Sequence, residues 1–171
     1  LQIPYFLSKA APLTGSWQGN PSPVGGTRFL TRFNPVPVAT ETLSVPLLAS
    51  VPNAASGRTR PASGWPVVIF QHGITGNRTN MLGLADSFAA QGFVVVAIDL
   101  PLHGITDTMS PLYQAANERT FNLDVMNNTS GAAGPDGVID SSGASFINLS
   151  SLLTSRDNLR QAVADLFTLA K

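Results

Sequence analysis

One stretch, Trp65–Gly76, constrains the fold more than any other part of the chain. It reads WPVVIFQHGITG, with four consecutive apolar residues, three of them β-branched, ahead of a turn that contains two glycines. A short apolar run without polar alternation predicts a strand that is buried on both faces. A helical pattern follows, with its N-cap expected at Thr79 or Asn80 and a terminating glycine at Gly92.

A second buried strand is predicted over residues 93–98, FVVVAI, directly after that glycine. Strand, helix and strand in this order form a βαβ unit, so the two strands should be parallel. Both histidines of the chain, His72 and His103, follow these strands, and each is followed by a glycine. Ligands of open α/β sheets bind beyond the carboxyl ends of the strands, where we therefore expect the chemistry. Asp99, at the end of the second strand, is expected to fix the adjoining loop.

The motifs HGITG and DLPLHG, placed at the ends of these two strands, resemble the α/β-hydrolase fold. Within that fold the chain looks most similar to bacterial extracellular lipases of the virulence-factor-lipase type. The resemblance covers residues 41–171 and implies the N-terminal portion of an α/β-hydrolase domain, with a mostly parallel sheet and a βαβ crossover. Residues 1–40, interrupted by six prolines and four glycines, are predicted to form an irregular N-terminal arm.

The nucleophile elbow of that fold, G-x-S-x-G, does not occur in the sequence. The nearest partial match, Gly143–Ile147, lacks the closing glycine and follows no predicted strand. In this fold the catalytic serine precedes the acid and the histidine, whereas both histidines here precede any elbow. We therefore expect an N-terminal portion of a serine hydrolase, truncated before its nucleophile, and we expect this fragment alone to be inactive.

The resemblance also implies roles for residues at the two histidine-glycine pairs. In lipases of this kind, the backbone N–H of Ile74 would supply half of the oxyanion hole. Gly73 would permit the geometry of the turn, and His72 would brace the turn by hydrogen bonds without transferring protons. His103 and Leu102 are expected near the mouth of the site, in contact with substrate. A plain strand-to-helix turn remains the alternative for the first pair.

Residues 105–150 are predicted to be a loop-like or lid-like excursion, because no clear element is visible there. A substrate-covering role and a purely structural role both remain open for this segment. A strong final helix follows, in which apolar residues share one face and the charged residues lie off it. The apolar set is Leu152, Leu159, Ala162, Val163, Leu166, Phe167 and Ala170.

Composition excludes several classes of function. Ten basic and ten acidic residues leave no net charge, so nothing favours a nucleic-acid partner. Cysteine is absent, which excludes a thiol nucleophile and a cysteine metal site. A calcium loop around Asp136–Asp140 is disfavoured, because glycine or alanine stands where the ligand carboxylates belong. We expect no cofactor and no metal.

Together these features predict a carboxylic ester hydrolase, a lipase or esterase that acts on an ester or lipid substrate. By resemblance it would be bacterial and either secreted or in the cell envelope. Another enzyme of the same fold, such as a peptidase or a dienelactone-type hydrolase, is an alternative. A non-catalytic domain that binds through an apolar cleft is a second alternative. The fragment is expected to associate with the remainder of its parent chain or with itself, because it leaves a strand edge unpaired.

Overall fold

The structure is a computed structural model that describes all 171 residues. It contains two compact units: the arm unit, residues 1–44 together with 145–171, and the sheet unit, residues 45–144. The strands are β1 (Gln2–Tyr5), β2 (Glu41–Ser44), β3 (Leu47–Ser50), β4 (Val67–Phe70) and β5 (Val94–Ile98). The α-helices are α1 (Leu82–Ala90) and α2 (Leu152–Leu169), and 3₁₀ turns occupy Ala54–Ser56 and Arg78–Met81. No helix is both long and apolar enough to cross a membrane.

The sheet unit is built on a three-stranded sheet in the order β3-β5-β4. Strands β4 and β5 are parallel, with Val67 opposite Val94, and α1 connects them. The predicted βαβ unit is therefore confirmed. Strand β3 runs antiparallel to β5, so the sheet is mixed, whereas we predicted a mostly parallel one. This small mixed sheet is compatible with part of an α/β fold.

Strand β4 lies at an edge of this sheet and is covered on one face only. Val68 and Phe70 pack against a core that contains Met81 and Ala97. On the other face Val67 is 59% exposed, and the prediction that β4 is buried on both faces is wrong. The apolar run correctly indicated a strand, but it did not indicate whether a second layer covers that strand.

The helical segment after β4 begins earlier than predicted. Asn77 is the N-cap, and its side chain accepts the backbone N–H of Thr79 at 2.9 Å. The Asn80 side chain in turn accepts the backbone N–H of Asn77 at 2.8 Å, which completes a capping box. A cap at Thr79 or Asn80 is therefore wrong, because a 3₁₀ turn precedes α1. Gly92 ends the segment with φ +82°, as predicted.

In the arm unit, helix α2 presents its polar side to the interior. Gln161 accepts the N–H of Phe6 and donates to the carbonyl of Pro4, both at 2.9 Å, and Asp157 accepts the N–H of Trp17 at 2.9 Å. The fully buried side chains of α2 include Thr154, Asp157, Asn158, Gln161 and Asp165. The apolar side chains that lie outward include Leu152, Leu159, Val163 and Phe167. The residues predicted to share an apolar face exist, but that face is mostly exposed.

Residues 105–144 contain no strand and no helix, and aspartates organise much of this segment through backbone N–H groups. Asp140 accepts from Val125 and Met126, and Asp124 accepts from the residues at positions 136 and 137. Such local side-chain bonds replace the ladders of regular structure. The acidic cluster that we considered for calcium is therefore used for turns.

Candidate functional site

The site is built on the turn Gly73–Gly76, directly after β4. The N–H of Gly76 donates to the carbonyl of Gly73 at 3.0 Å, and Thr75 has φ +72°. This combination is that of a type II turn, whose third position normally takes glycine or asparagine. A β-branched residue with positive φ is strained, so other contacts must hold Thr75 in place. Gly73 is not left-handed, and a Cβ added to it would meet nothing within 4 Å, so its contribution is an open approach to the backbone.

His103 supplies the contact that holds Thr75. Its Nε2 accepts the backbone N–H of Thr75 at 3.2 Å, while its Nδ1–H donates to the carbonyl of Pro101 at 2.8 Å. The imidazole is therefore neutral. Burial is the main reason that the pKa of His103 is lowered from 6.5 to about 4; the bond to Pro101 raises it, and His72 and Arg119 lower it further.

His72 makes the mirror-image contact. Its Nε2 accepts the backbone N–H of Leu100, the second residue after β5, at 3.1 Å, and its Nδ1 lies 2.8 Å from the carbonyl of Gly73. The two imidazole rings are 5.0 Å apart, and both are buried. Burial lowers the pKa of His72, against the opposing effects of the Gly73 bond and of the nearby Asp99 carboxylate.

Each histidine thus follows one strand and holds the backbone that follows the other strand. We call this pair, His72 with Leu100 and His103 with Thr75, the histidine clamp. Because each Nε2 already accepts a backbone N–H, neither ring has a free lone pair with which to take a proton from a substrate. The clamp fixes the backbone geometry at the carboxyl edge of the sheet, which is where the sequence analysis predicts both histidines.

The backbone N–H of Ile74 is the donor that this arrangement leaves available. It donates to no protein acceptor, and Ile74 is 53% exposed. The neighbouring N–H of Thr75 is occupied by His103, and that of Gly76 by the turn itself. Because this N–H has no protein partner and lies in a turn that His103 holds in place, it is suited to bind a ligand oxygen.

A buried group of charges braces the same edge. The backbone N–H of Arg78 donates to Asp99 at 2.6 Å, and its guanidinium pairs with the same carboxylate. The guanidinium also makes two bonds to Glu118, at 2.9 and 2.6 Å. Burial lowers the pKa of Arg78, but the hydrogen bonds to Glu118 and Asp99 outweigh this effect and leave it raised. All three side chains are buried, so the arginine is held between two carboxylates without access to water.

Glu118 joins the long excursion to this group of charges. Its carboxylate accepts the N–H of Ile105 and of Gln114, each at 3.0 Å, in addition to the arginine. Gly104 lies so close that an added Cβ would come within 2.4 Å of Glu118 Oε2. The start of the excursion is therefore fixed to the sheet edge by one carboxylate.

The end of the excursion covers the histidine clamp. Ser142 donates to the carbonyl of Gly76 at 2.6 Å and accepts the N–H of Gly104 at 3.2 Å. Gly143, with φ +71°, packs on His103 so closely that an added Cβ would lie 2.1 Å from Nε2. The end of the excursion thus packs directly against His103.

This packing changes what His103 and Leu102 can do. Both are buried, His103 completely, so neither presents a surface to a substrate in this structure. We expected them in contact with substrate, and the structure places them beneath the covering residues instead. His72 is likewise buried, and among the expected site residues only Gly73 and Ile74 are exposed.

Three residues of the site were not found from the sequence. Arg78 precedes the predicted start of the helix, and Glu118 and Arg119 lie in the segment without recognisable elements. Arg119 donates to the backbone carbonyl of Asp99 at 2.6 Å. The one available signal was Asp99 itself, a carboxylate at the end of an apolar strand, which requires a cation or several N–H donors nearby. Nothing in the sequence pattern indicates that Glu118 shares that cation.

A parallel strand, a tight turn, a helix and a second parallel strand place the unpaired Ile74 N–H at the carboxyl edge of the sheet, where ligands of open α/β sheets bind. A sequence model of one family, described as platelet-activating factor acetylhydrolase, isoform II, matches residues 36–115, which is less than half of the chain. That family belongs to the α/β-hydrolase superfamily, and the match indicates a hydrolase of lipase or esterase type. No curated protein and no solved structure gives a significant match.

Proposed function

We propose that residues 41–171 are the N-terminal portion of a serine-dependent carboxylic ester hydrolase, to which this chain contributes the oxyanion turn and part of the sheet. The observation that carries this proposal is the backbone N–H of Ile74, which has no protein acceptor, belongs to an exposed residue and lies in a turn held by His103. The family match over residues 36–115 supports the reaction class.

Ester hydrolysis by a serine enzyme passes through a tetrahedral intermediate whose oxygen carries negative charge. The N–H of Ile74 would donate to that oxygen, and a second donor would come from the residue after the nucleophile. The clamp keeps the Ile74 donor in position before the substrate arrives, so no reorganisation is needed as the charge develops. The nucleophile, the acid and the base would be supplied by later residues of the parent chain.

The exposed edge of β4 supports a further part of the proposal. Strand β4 pairs with β5 on one side only, and a following strand of the parent would pair with its free edge. The remainder of the parent chain is thus the proposed partner, and self-association through the same edge is proposed for the isolated fragment. The more specific likeness to virulence-factor-type lipases, with a secreted or cell-envelope location in a bacterium, also remains part of this proposal.

The test removes the donor while keeping the turn. Ile74→Pro deletes the N–H, and proline is favoured at the second position of a type II turn. The preceding residue is Gly73, which tolerates the restriction that proline imposes. In the parent enzyme we expect Ile74→Pro to lower kcat by about 10²–10³-fold. The matched control Ile74→Val keeps the donor and should retain most of kcat.

Hydrolysis of p-nitrophenyl butyrate measures both variants. The 171-residue chain alone should give no turnover above background, because it lacks a catalytic nucleophile with an adjacent general base. If the proline and valine variants of an active parent have the same kcat, Ile74 is not an oxyanion donor. If the 171-residue chain itself hydrolyses the ester, and this activity passes the serine-hydrolase inhibitor controls, the hypothesis of a truncated enzyme is wrong.

A further inference from the structure

We propose that the arm unit binds a single-chain amphiphile with an anionic head group, such as a fatty-acid carboxylate, along the outward face of α2. This inference does not depend on the proposed esterase activity. It follows from two adjoining grooves in the arm unit, one apolar and one cationic, that share Trp17 and Arg160.

The apolar groove has a volume of about 470 Å³. Its apolar lining consists of Trp17, Leu159, Val163, Ala164 and Phe167. The α2 residues in it belong to the outward face, and Phe167 is 71% exposed. This apolar lining is complementary to an alkyl chain or a ring.

The cationic groove is next to it, with a volume of about 370 Å³, and it is lined by Arg32, Arg156 and Arg160 together with Trp17. One carboxylate bonds to these arginines: Asp157 pairs with Arg156 at 2.8 Å and with Arg160 at 3.1 Å. Three guanidinium groups against one carboxylate leave two positive charges here, in a chain whose formal net charge is zero.

The arginines retain donors for a ligand. Asp157 is fully buried and also accepts the N–H of Trp17, so it is committed to the protein. The guanidinium of Arg32 makes no hydrogen bond to the protein and stacks 4.4 Å over the ring of Phe33. A guanidinium binds a carboxylate through two parallel N–H···O bonds, which makes a carboxylate head group complementary to this groove.

The two grooves together define the ligand. An alkyl chain would lie between Val163 and Phe167, and its anionic end would reach the arginines past Trp17 and Arg160. The adjoining apolar and cationic grooves match the two ends of one such molecule, its alkyl chain and its anionic head group. The polar side of α2 is not available to a ligand, because its side chains form hydrogen bonds with the backbone of the arm.

Titration with dodecanoate, kept below its micelle concentration, tests the proposal. Trp17 is the reporter in a Trp65→Phe background, since the chain has two tryptophans and Trp65 lies in the sheet unit. We expect a saturable change in Trp17 fluorescence. Arg32→Gln combined with Arg160→Gln should weaken binding about tenfold or more, as expected for lost charge-assisted bonds. The control Arg60→Gln removes an exposed arginine of the sheet unit and should leave the affinity unchanged.

A second pair of variants tests the apolar groove. Phe167→Asn should weaken dodecanoate binding severalfold, and Val24→Asn, a change at another exposed apolar residue outside the groove, should not. Both positions are exposed, so both variants should melt like the unmodified chain.

Three outcomes would overturn the proposal. Equal affinity for dodecanoate and dodecyltrimethylammonium would show that the arginines select no anion. Binding to phosphatidylglycerol vesicles without saturable binding of dodecanoate would assign the face to a membrane surface. Conversion of an oligomer to a monomer by Phe167→Asn, with no dodecanoate binding, would assign the face to a second copy of the chain.

Discussion

The two units bury polar side chains in different ways. The buried polar groups of the sheet unit include a cation, Arg78, which is enclosed by the carboxylates of Asp99 and Glu118. In the arm unit they include the amides of Asn158 and Gln161, which bond to backbone groups. The comparison shows that a polar side chain is stable inside a protein when its partners are fixed, whether these are ions or peptide groups.

The difference matters for what each unit tolerates. A buried ion that loses its partner remains charged in a medium that solvates it poorly, so the penalty is large. A lost amide bond leaves a neutral donor or acceptor, and the penalty is smaller. The chain has one tryptophan in each unit, Trp17 and Trp65, so unfolding of the two units can be followed separately.

The largest effect is expected at the centre of the charge group. Arg78→Met removes the guanidinium that Asp99 and Glu118 share, and we expect it to lower the free energy of unfolding of the sheet unit by about 3–5 kcal/mol. Urea unfolding followed by Trp65 fluorescence measures this. Arg60→Met, at an exposed position, is the control and should change little. A loss below about 1 kcal/mol in Arg78→Met would contradict the role of the buried charges.

The histidine clamp predicts a loss of stability in acid. The pKa of His103 is about 4 in the folded chain and near its ordinary 6.5 when unfolded. Between these values the unfolded chain binds a proton that the folded chain does not, so stability falls as pH drops from 6.5 to 4. Over this pH range, protonation of His103 lowers the free energy of unfolding by on the order of 3 kcal/mol.

The control for this effect is His103→Gln, whose side-chain amide can accept the Thr75 N–H in place of Nε2 but does not titrate. This variant should lose the His103 part of the pH dependence of unfolding, measured by urea titration at pH 4.5 and pH 7. A pH dependence identical to that of the unmodified chain would mean that His103 does not cause it.

Helix α2 buries its polar side, so a more apolar side chain there should destabilise the arm unit, the reverse of the effect in an ordinary amphipathic helix. Gln161→Leu makes α2 more apolar, yet it should destabilise the arm unit by about 1–3 kcal/mol, because the N–H of Phe6 and the carbonyl of Pro4 lose their partner. Phe167→Gln makes the helix more polar and should stay within about 0.5 kcal/mol of the unmodified chain. Trp17 fluorescence during urea unfolding compares the two. Should Phe167→Gln prove the more damaging change, α2 is oriented the other way.

The smallest effect is expected at the strained turn. Thr75→Gly removes a Cβ from a left-handed position and should stabilise the sheet unit slightly, by up to about 1 kcal/mol. Ile74→Gly is the matched control, since Ile74 has no positive φ, and it should destabilise by about 0.5–1 kcal/mol. Thermal melts of both variants give the signs. Two changes of the same sign would argue against strain at Thr75.

Much of the sheet unit follows from local pattern. The apolar runs at Val67–Phe70 and Val94–Ile98 predict adjacent parallel strands, and Gly92 predicts the helix end between them. The exposure of Val67 could not be predicted, because an apolar run does not reveal whether a neighbouring layer is present. The same limit applies to α2. Periodicity groups its apolar residues on one face, but the arm residues that form hydrogen bonds with the opposite face lie about 150 positions earlier in the chain.

The site was predictable where it depends on the ends of strands. His72, His103 and Asp99 follow β4 and β5, and strand ends alone bring them together. The excursion could not be placed in this way, since neither Glu118 nor Gly143 belongs to a periodic pattern. Their positions depend on which backbone groups the fold leaves unpaired, and that information is not local.

The histidine clamp has a consequence for how this chain could change over time. Both Nε2 atoms hold backbone N–H groups, so the clamp does not require particular side chains at Ile74 or Leu100. The exposed side chain at position 74 can therefore be exchanged without moving the donor beside it. Because the histidines hold the turn and the side chain at position 74 does not, selection could alter the preference for a ligand while the geometry of the turn is inherited unchanged.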